Sequence, residues 1–201
     1  MKIFQIGFNR CGTLSLHYFF EKNGLKSIHY DYGHIACEII KNISENNENI
    51  LGKYEEYDFL CDMEFICNWE HKYRGVNYAF RHFRELDRAY PNSKFILNTR
   101  SVMKWVSSRS QHMDGEYLNR YKDIYKMDTS SVHKKWMMDW YRHHYEVIEY
   151  FRDRPKDLLV LDLEAGMEYN KKKLDDFFEG RFDVDFFEHT HKRPKKTQKI
   201  K

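Results

Sequence analysis

Residues 4–20, FQIGFNRCGTLSLHYFF, carry the decision about the fold. Lys2 to Phe8 is mostly apolar, as a buried strand is, and Thr13 to Asn23 has helical spacing, with Leu14, Leu16, Phe19 and Phe20 mostly on one face. Gly24 stands where a C′ glycine stops a helix. Between strand and helix the chain turns through Gly7 and Gly12. A glycine turn of this kind aims backbone N–H groups at an anion, and the helix dipole adds partial positive charge at the same spot. Arg10 supplies a permanent cation just before the turn, and Thr13 and Ser15 supply hydroxyl donors.

The flanking segments read as alternating strands and helices. Lys26 to Tyr32 is a short strand, Ile35 to Ile43 a helix, and Tyr57 to Met63 the next strand. From Val76 to Tyr90 the spacing of Tyr78, Phe80, Phe83, Leu86 and Ala89 predicts a helix that Pro91 ends. KFILNT (94–99) is an apolar strand with Arg100 at its end, and residues 102–112 follow as a helix. A long amphipathic helix covers Val132 to Phe151, with Trp136, Trp140, Tyr141 and Ile148 among its apolar positions. LLVLDL (158–163) is the last strand, and Leu174 to Phe178 belongs to a final helix.

This alternation predicts an α/β fold of three layers, a mainly parallel sheet with helices on both faces, P-loop NTPase-like. Residues 1–191 are expected to form one domain and 192–201 a basic C-terminal tail. Ligands of such sheets bind beyond the carboxyl ends of the strands, where Gly7 to Ser15, Asp62 to Glu64, and Arg100 all fall.

The net charge of +3 is unevenly spread. KRPKKTQKIK (192–201) holds six basic residues and no acidic one; without it, 28 basic residues face 31 acidic ones, a net of −3. With 41% apolar residues and 15 Tyr, 15 Phe and 4 Trp, the chain has ample material for a core, which excludes bulk disorder. Cys11, Cys37, Cys61 and Cys67 form no CxxC pair and have no His pair at zinc-finger spacing, so no metal site is expected. No stretch reaches the length of a membrane span, no charged and apolar leader precedes the first strand, and a reducing, cytoplasmic setting is the expectation. No RNA- or DNA-binding motif accompanies the tail.

The loop departs from the Walker A pattern, which needs Lys and then Ser or Thr directly after its second glycine; here Thr13 and Leu14 follow Gly12. GFNRCGTLSL instead resembles the 5′-phosphosulfate loop of sulfotransferases that use 3′-phosphoadenosine 5′-phosphosulfate (PAPS), in which a basic residue precedes a GT pair, as in PKSGTT or NKCGTTSL. YPNSKFILNTRSVMKWVSS (90–108) is similar to that family's 3′-phosphate segment, a strand ending in Arg with Ser eight residues later, here Arg100 and Ser108. LLVLDLEAGMEYNKKKLDDFF (158–178) has a less specific likeness to a later family segment, and FFEHTHKR (186–193) to the region that reaches back over the nucleotide. The resemblance implies transfer of a sulfuryl group from PAPS to a hydroxyl or amine of a carbohydrate, lipid or small molecule, without a metal. It also implies nucleotide contacts from Arg10, Cys11, Gly12, Thr13, Leu14, Ser15, Arg100 and Ser108. Two departures stand out. Arg10 replaces the usual lysine, keeping the charge but unable to hand over a proton, and Leu14 replaces a second Thr, removing a hydroxyl donor.

An acceptor hydroxyl benefits from a nearby base. CDME offers Asp62 and Glu64, projecting to one face by strand alternation, either as bases or as ion-pair partners of Arg74 or Arg81. His29 and His112 are positional candidates, His17 reads as a packed or exposed helix residue, and His143 and His144 read as the solvated face of the long helix. Tyr30, Tyr32, Trp69 and Tyr73 are aromatic candidates for an acceptor pocket. Two alternatives stay open: a P-loop nucleotide kinase, which would use Asp62 to hold magnesium, and a non-catalytic nucleotide-binding relative.

Overall fold

The computed structural model describes residues 1–68 and 74–188. Trp69, Tyr73, the basic tail and all but the start of FFEHTHKR therefore lie outside the described residues. Five parallel strands form the central sheet: β1 (Ile3–Gln5), β2 (Ser27–His29), β3 (Phe59–Cys61), β6 (Lys94–Thr99) and β7 (Leu158–Asp162), in the order β2-β3-β1-β6-β7. Its helices are α1 (Thr13–Lys22), α2 (His34–Ser44), α3 (Phe83–Ala89), α4 (Val102–Ser110), α5 (Glu116–Tyr125), α6 (Thr129–Tyr150) and α7 (Met167–Phe178).

Strand alternation divides the core in two. Ile3, Phe59, Cys61, Ile96 and Leu161 face one side, where Leu16, Phe19 and Phe20 of α1 and Leu174 and Phe178 of α7 cover them. Phe4, Leu60, Phe95 and Leu97 face the other, against Ile35 and Ile39 of α2, Phe83 and Leu86 of α3, Trp105 of α4 and Trp136, Trp140 and Val147 of α6. Because both faces are covered, β1, β3, β6 and β7 are mostly apolar rather than alternating, with Gln5 and Asn98 as buried amides among them. The expected three-layer α/β architecture holds.

Three expectations need correction. The run from Val76 is not helical from its start: β5 (Gly75–Tyr78) pairs antiparallel with β4 (Glu64–Cys67), a 3₁₀ turn spans Ala79–His82, and only then does α3 begin. Pairing of Tyr78 with Glu64 and Val76 with Ile66 outweighs the helical spacing of the side chains. Helix α5 was not anticipated, its sequence being largely polar.

On α6, Tyr141 and Ile148 are exposed, at 62% and 48%, whereas His143 is buried. The buried stripe runs Val132, Trp136, Trp140, His143 and Val147, so it is the histidine that falls on the helical repeat. Nor does His144 lie on a solvated face. His143 Nε2–H donates to the Ile6 carbonyl at 2.6 Å, and His144 bonds the Trp140 carbonyl and the Thr99 hydroxyl. Burial pushes both imidazoles down, to about 3 and about 4, and keeps them neutral.

Among the described residues no helix is long and apolar enough to cross a membrane, and the four cysteines form no disulfide.

Candidate functional site: an anion loop facing two carboxylates

The loop between β1 and α1 owes its shape to side chains from across the fold. Gly7 lies so close to β6 that a Cβ there would sit 2.2 Å from Asn98 Oδ1 and 2.3 Å from the Asn98 carbonyl. Gly12 caps α1 with φ +80°, and a Cβ on it would meet Leu163 at 2.8 Å. Arg10 itself takes a left-handed φ of 63°, a strained conformation for a non-glycine residue.

Nearly every carbonyl of the loop is turned into the protein. Ile6 accepts from His143, Gly7 from Gln5 Nε2 (2.6 Å), Asn9 from the Trp105 indole (3.0 Å), Arg10 from Arg100 Nη1 (3.3 Å) and Cys11 from Asn98 Nδ2 (2.7 Å). The Gly12 carbonyl accepts from Leu16 N–H at 3.2 Å. With the oxygens taken, the start of α1 is the part of the loop left to meet a ligand, and Gly12 to Ser15 lie on a cleft wall. Among the described residues no side chain caps α1, so its first-turn N–H groups have no acceptor within the helix.

These amides open on a cleft of about 1070 Å³ whose wall includes Arg10, Gly12, Thr13, Leu14, Ser15, Arg100 and Ser108. Seven of the eight expected nucleotide contacts therefore share one cavity. Arg10 Nε lies 3.4 Å from Ser108 Oγ, so the loop and the Arg100–Ser108 segment meet directly. The eighth, Cys11, is corrected in part: its side chain is fully buried on the core side, where burial pushes the thiol far up, and only its backbone faces the loop. Glu164, from the turn after β7, stands 3.9 Å from Arg100 Nε and 3.1 Å from Lys104 Nζ.

Asp62 and Glu64 both reach the cleft wall, with different standing. Glu64 is 2% exposed and its oxygens are taken: Arg109 Nη2 approaches Oε1 at 3.2 Å, Tyr117 O–H donates to Oε1, and Asn9 N–H donates to Oε2 at 3.3 Å. It is an ion-pair partner, as one sequence reading had it, but of Arg109 rather than Arg74 or Arg81. Those two pair with Asp123 and Asp139. Glu64 thus braces the loop through Asn9. Asp62, held by its N–H to Gln5 Oε1 at 2.8 Å and strained at φ 54°, has Oδ1 buried without a hydrogen-bond partner among the described residues. Burial first, then the Glu64 charge, push its carboxyl up to about 8, against the lowering pull of Arg109 and Arg10. His29 and His112 also line the cleft, each pushed down to about 4, chiefly by burial. Tyr30 and Tyr32 form part of the same wall.

The supports of the loop escaped the sequence reading. Gln5 and Asn98 carried a signal, being amides inside otherwise apolar strands. Arg109 carried none: one residue beyond Ser108, it is a helix arginine like any other until the fold buries it.

The model of one protein family, the sulfotransferase domain, matches residues 2–127, more than half of the chain, and no curated protein matches it. The match spans the loop, Asp62, Glu64, Arg100 and Ser108. The chain belongs to the sulfotransferase domain family.

Proposed function

We propose that this sulfotransferase-family chain moves a sulfuryl group from PAPS to a hydroxyl or amine of a carbohydrate, lipid or small-molecule acceptor, with residues 1–191 as the catalytic domain and 192–201 as an appended tail. The observation that carries the reading is the loop itself. Its carbonyls are taken by donors of the fold, Gly12 to Ser15 line the cleft where α1 begins, and Arg10, Arg100 and Ser108 line it beside them. Such a surface repels carbonyl-like ligands and attracts one with closely spaced anionic groups.

The roles follow from position. The amides of Gly12 to Ser15 and the Thr13 and Ser15 hydroxyls hold the 5′-phosphosulfate. Arg10 neutralises charge on the bridging oxygen as the S–O bond breaks, by electrostatic stabilisation alone, since a guanidinium does not give up its proton. Arg100 and Ser108 take the 3′-phosphate. The Asp62 carboxylate on the cleft wall accepts the acceptor's proton, and its high pKa makes it a competent base near neutral pH. Glu64 keeps Asn9, and so Arg10, in place. Ligand pockets commonly span roughly 300–1,000 Å³, so a cleft of about 1070 Å³ has room for nucleotide and acceptor together.

Calorimetry with adenosine 3′,5′-bisphosphate and adenosine 5′-phosphate tests the donor site. A charged hydrogen-bond pair contributes about 1.5–3 kcal/mol, so the bisphosphate should bind at least about tenfold tighter, and Arg100→Ala should erase most of that margin. Equal affinities, or a margin that survives the substitution, would remove the 3′-phosphate site. Transfer of label from ³⁵S-PAPS across a panel of hydroxyl and amine acceptors then tests turnover.

A further inference from the structure

Three side chains from three elements meet where the donor loop adjoins the two carboxylates. His29 ends β2, Asp62 follows β3, and Thr13 opens α1. His29 Nε2 lies 3.1 Å from Thr13 Oγ1 and 3.3 Å from Asp62 Oδ2, and all three residues line the cleft. Asp62 is thereby fixed at one oxygen and at its backbone N–H, while the other oxygen is buried without a partner among the described residues.

We propose that His29 is a positioning residue that fastens the proton-accepting carboxylate of Asp62 to the donor loop through Thr13. The proposal rests on the sulfotransfer reading above and assigns a role that reading leaves open. Burial keeps the ring neutral, so it carries one proton. With that proton on Nε2, the ring shares a single forked donation between Asp62 Oδ2 and Thr13 Oγ1. The Thr13 hydroxyl, now an acceptor from His29, has its own proton left to turn toward the loop. One imidazole thus holds the Thr13 hydroxyl of the donor loop and the Asp62 carboxylate at a fixed separation.

In the transfer step the acceptor O–H or N–H proton passes to the Asp62 carboxylate, on its cleft-facing side, as the acceptor atom bonds sulfur. The S–O bond to the 5′-phosphate breaks, and its electron pair leaves on adenosine 3′,5′-bisphosphate. His29 takes no proton; it holds the base that does. The groups facing the pair are Arg10 from the loop, Glu64 from β4, Arg109 from α4, His17 from α1 and Tyr30 beside His29. Glu64 disfavours the Asp62 carboxylate and both arginines favour it, so a donor on Oδ2 joins the arginines.

The test is a pair of substitutions read by NMR titration of the Asp62 carboxyl in ¹³C-labelled protein without nucleotide. A hydrogen bond to a carboxylate is roughly twice as strong as one to the neutral acid. His29→Phe should therefore raise the midpoint above that of the unaltered protein by about one pH unit, and His29→Gln, which keeps a donor near Nε2, should hold it close to the original. The rate of ³⁵S-sulfate release from PAPS with water as acceptor should show an acid limb that moves with the midpoint. A midpoint that stays put in a folded His29→Phe protein, shown by an unchanged thermal transition, overturns the pairing. A midpoint that moves in a protein that neither binds nor hydrolyses PAPS keeps the pairing but overturns the sulfotransfer reading, and with it the catalytic role given to His29.

Discussion

Arg109 and Glu64 offer a quantitative test of how the loop is held. The guanidinium is fully buried, with the rings of Phe8, Tyr78, Trp105, Tyr117, Tyr121 and Trp136 between 4.8 and 5.9 Å away. It donates to Asn9 Oδ1 at 2.9 Å, to Glu64, and to the hydroxyls of Tyr117 and Tyr121 at 2.8 Å and Tyr78 at 3.1 Å. Arg109→Met leaves the Glu64 charge buried with only Tyr117 and Asn9 to bond it. Glu64→Met leaves the guanidinium with neutral partners alone. Each should destabilise by about 3–5 kcal/mol, the range for breaking a buried ion pair from one side. For a chain of this length, at about 2–4 °C per kcal/mol, each single change should lower the melting temperature by roughly 6–20 °C. The double variant removes both charges and leaves orphaned only the Tyr117 hydroxyl and the two polar groups of Asn9, because Tyr78 and Tyr121 still bond each other. At about 1–3 kcal/mol per orphaned group, it should cost about 3–9 kcal/mol, less than the sum of the two single changes. The assay is urea denaturation of all four proteins as a double-mutant cycle, expecting a coupling of about 3 kcal/mol. Additive effects, with a coupling below about 0.5 kcal/mol, would refute the claim that the two charges form one unit under the loop.

Gly7→Ala should fold yet lose adenosine 3′,5′-bisphosphate binding by more than about tenfold, since its Cβ collides with the Asn98 backbone and can be relieved only by moving the loop; calorimetry decides. Glu164→Gln should tighten the same nucleotide by about threefold to fivefold, because the carboxylate beside Arg100 and Lys104 competes with the ligand phosphate; weaker binding would mean that it serves chiefly to orient Arg100. Stability should fall as pH drops below about 6.5. There the unfolded chain takes up a proton at His143 that the folded chain refuses until about 3, and above 6.5 both states are neutral. His143→Gln, which keeps a donor for the Ile6 carbonyl, should reduce the slope of unfolding free energy against pH by up to about 1.4 kcal/mol per unit between pH 6 and 4.

What the sequence revealed and what it hid divide along a physical line. The strands of the central sheet were legible because both faces are buried, so IFQI, FILNT and LLVLDL read as apolar runs whatever their partners. Arg10, Arg100 and Ser108 were picked out by the resemblance, whose motifs rest on short chain distances from a glycine turn or a strand end, and the three share one cleft wall. The β4–β5 hairpin was hidden by side chains that suit a helix equally well, and only pairing with Glu64 to Cys67 decides between them. The distinction between Asp62 and Glu64 was also hidden. Two residues apart, they look equivalent until Arg109, 45 positions beyond Glu64, takes Glu64 and not Asp62 as its ion-pair partner.

The inward-turned carbonyls also bear on how the site comes into being. Their donors come from distant points of the chain: Asn98 is 87 residues from Cys11, Trp105 is 96 from Asn9, and His143 is 137 from Ile6. The stretch most recognisable in the sequence is therefore the one least able to shape itself. During synthesis the loop leaves the ribosome ahead of these partners and cannot take its final form until α6 has emerged and docked. A peptide of residues 4–20, or the same loop grafted onto another strand and helix, would carry the motif without the geometry.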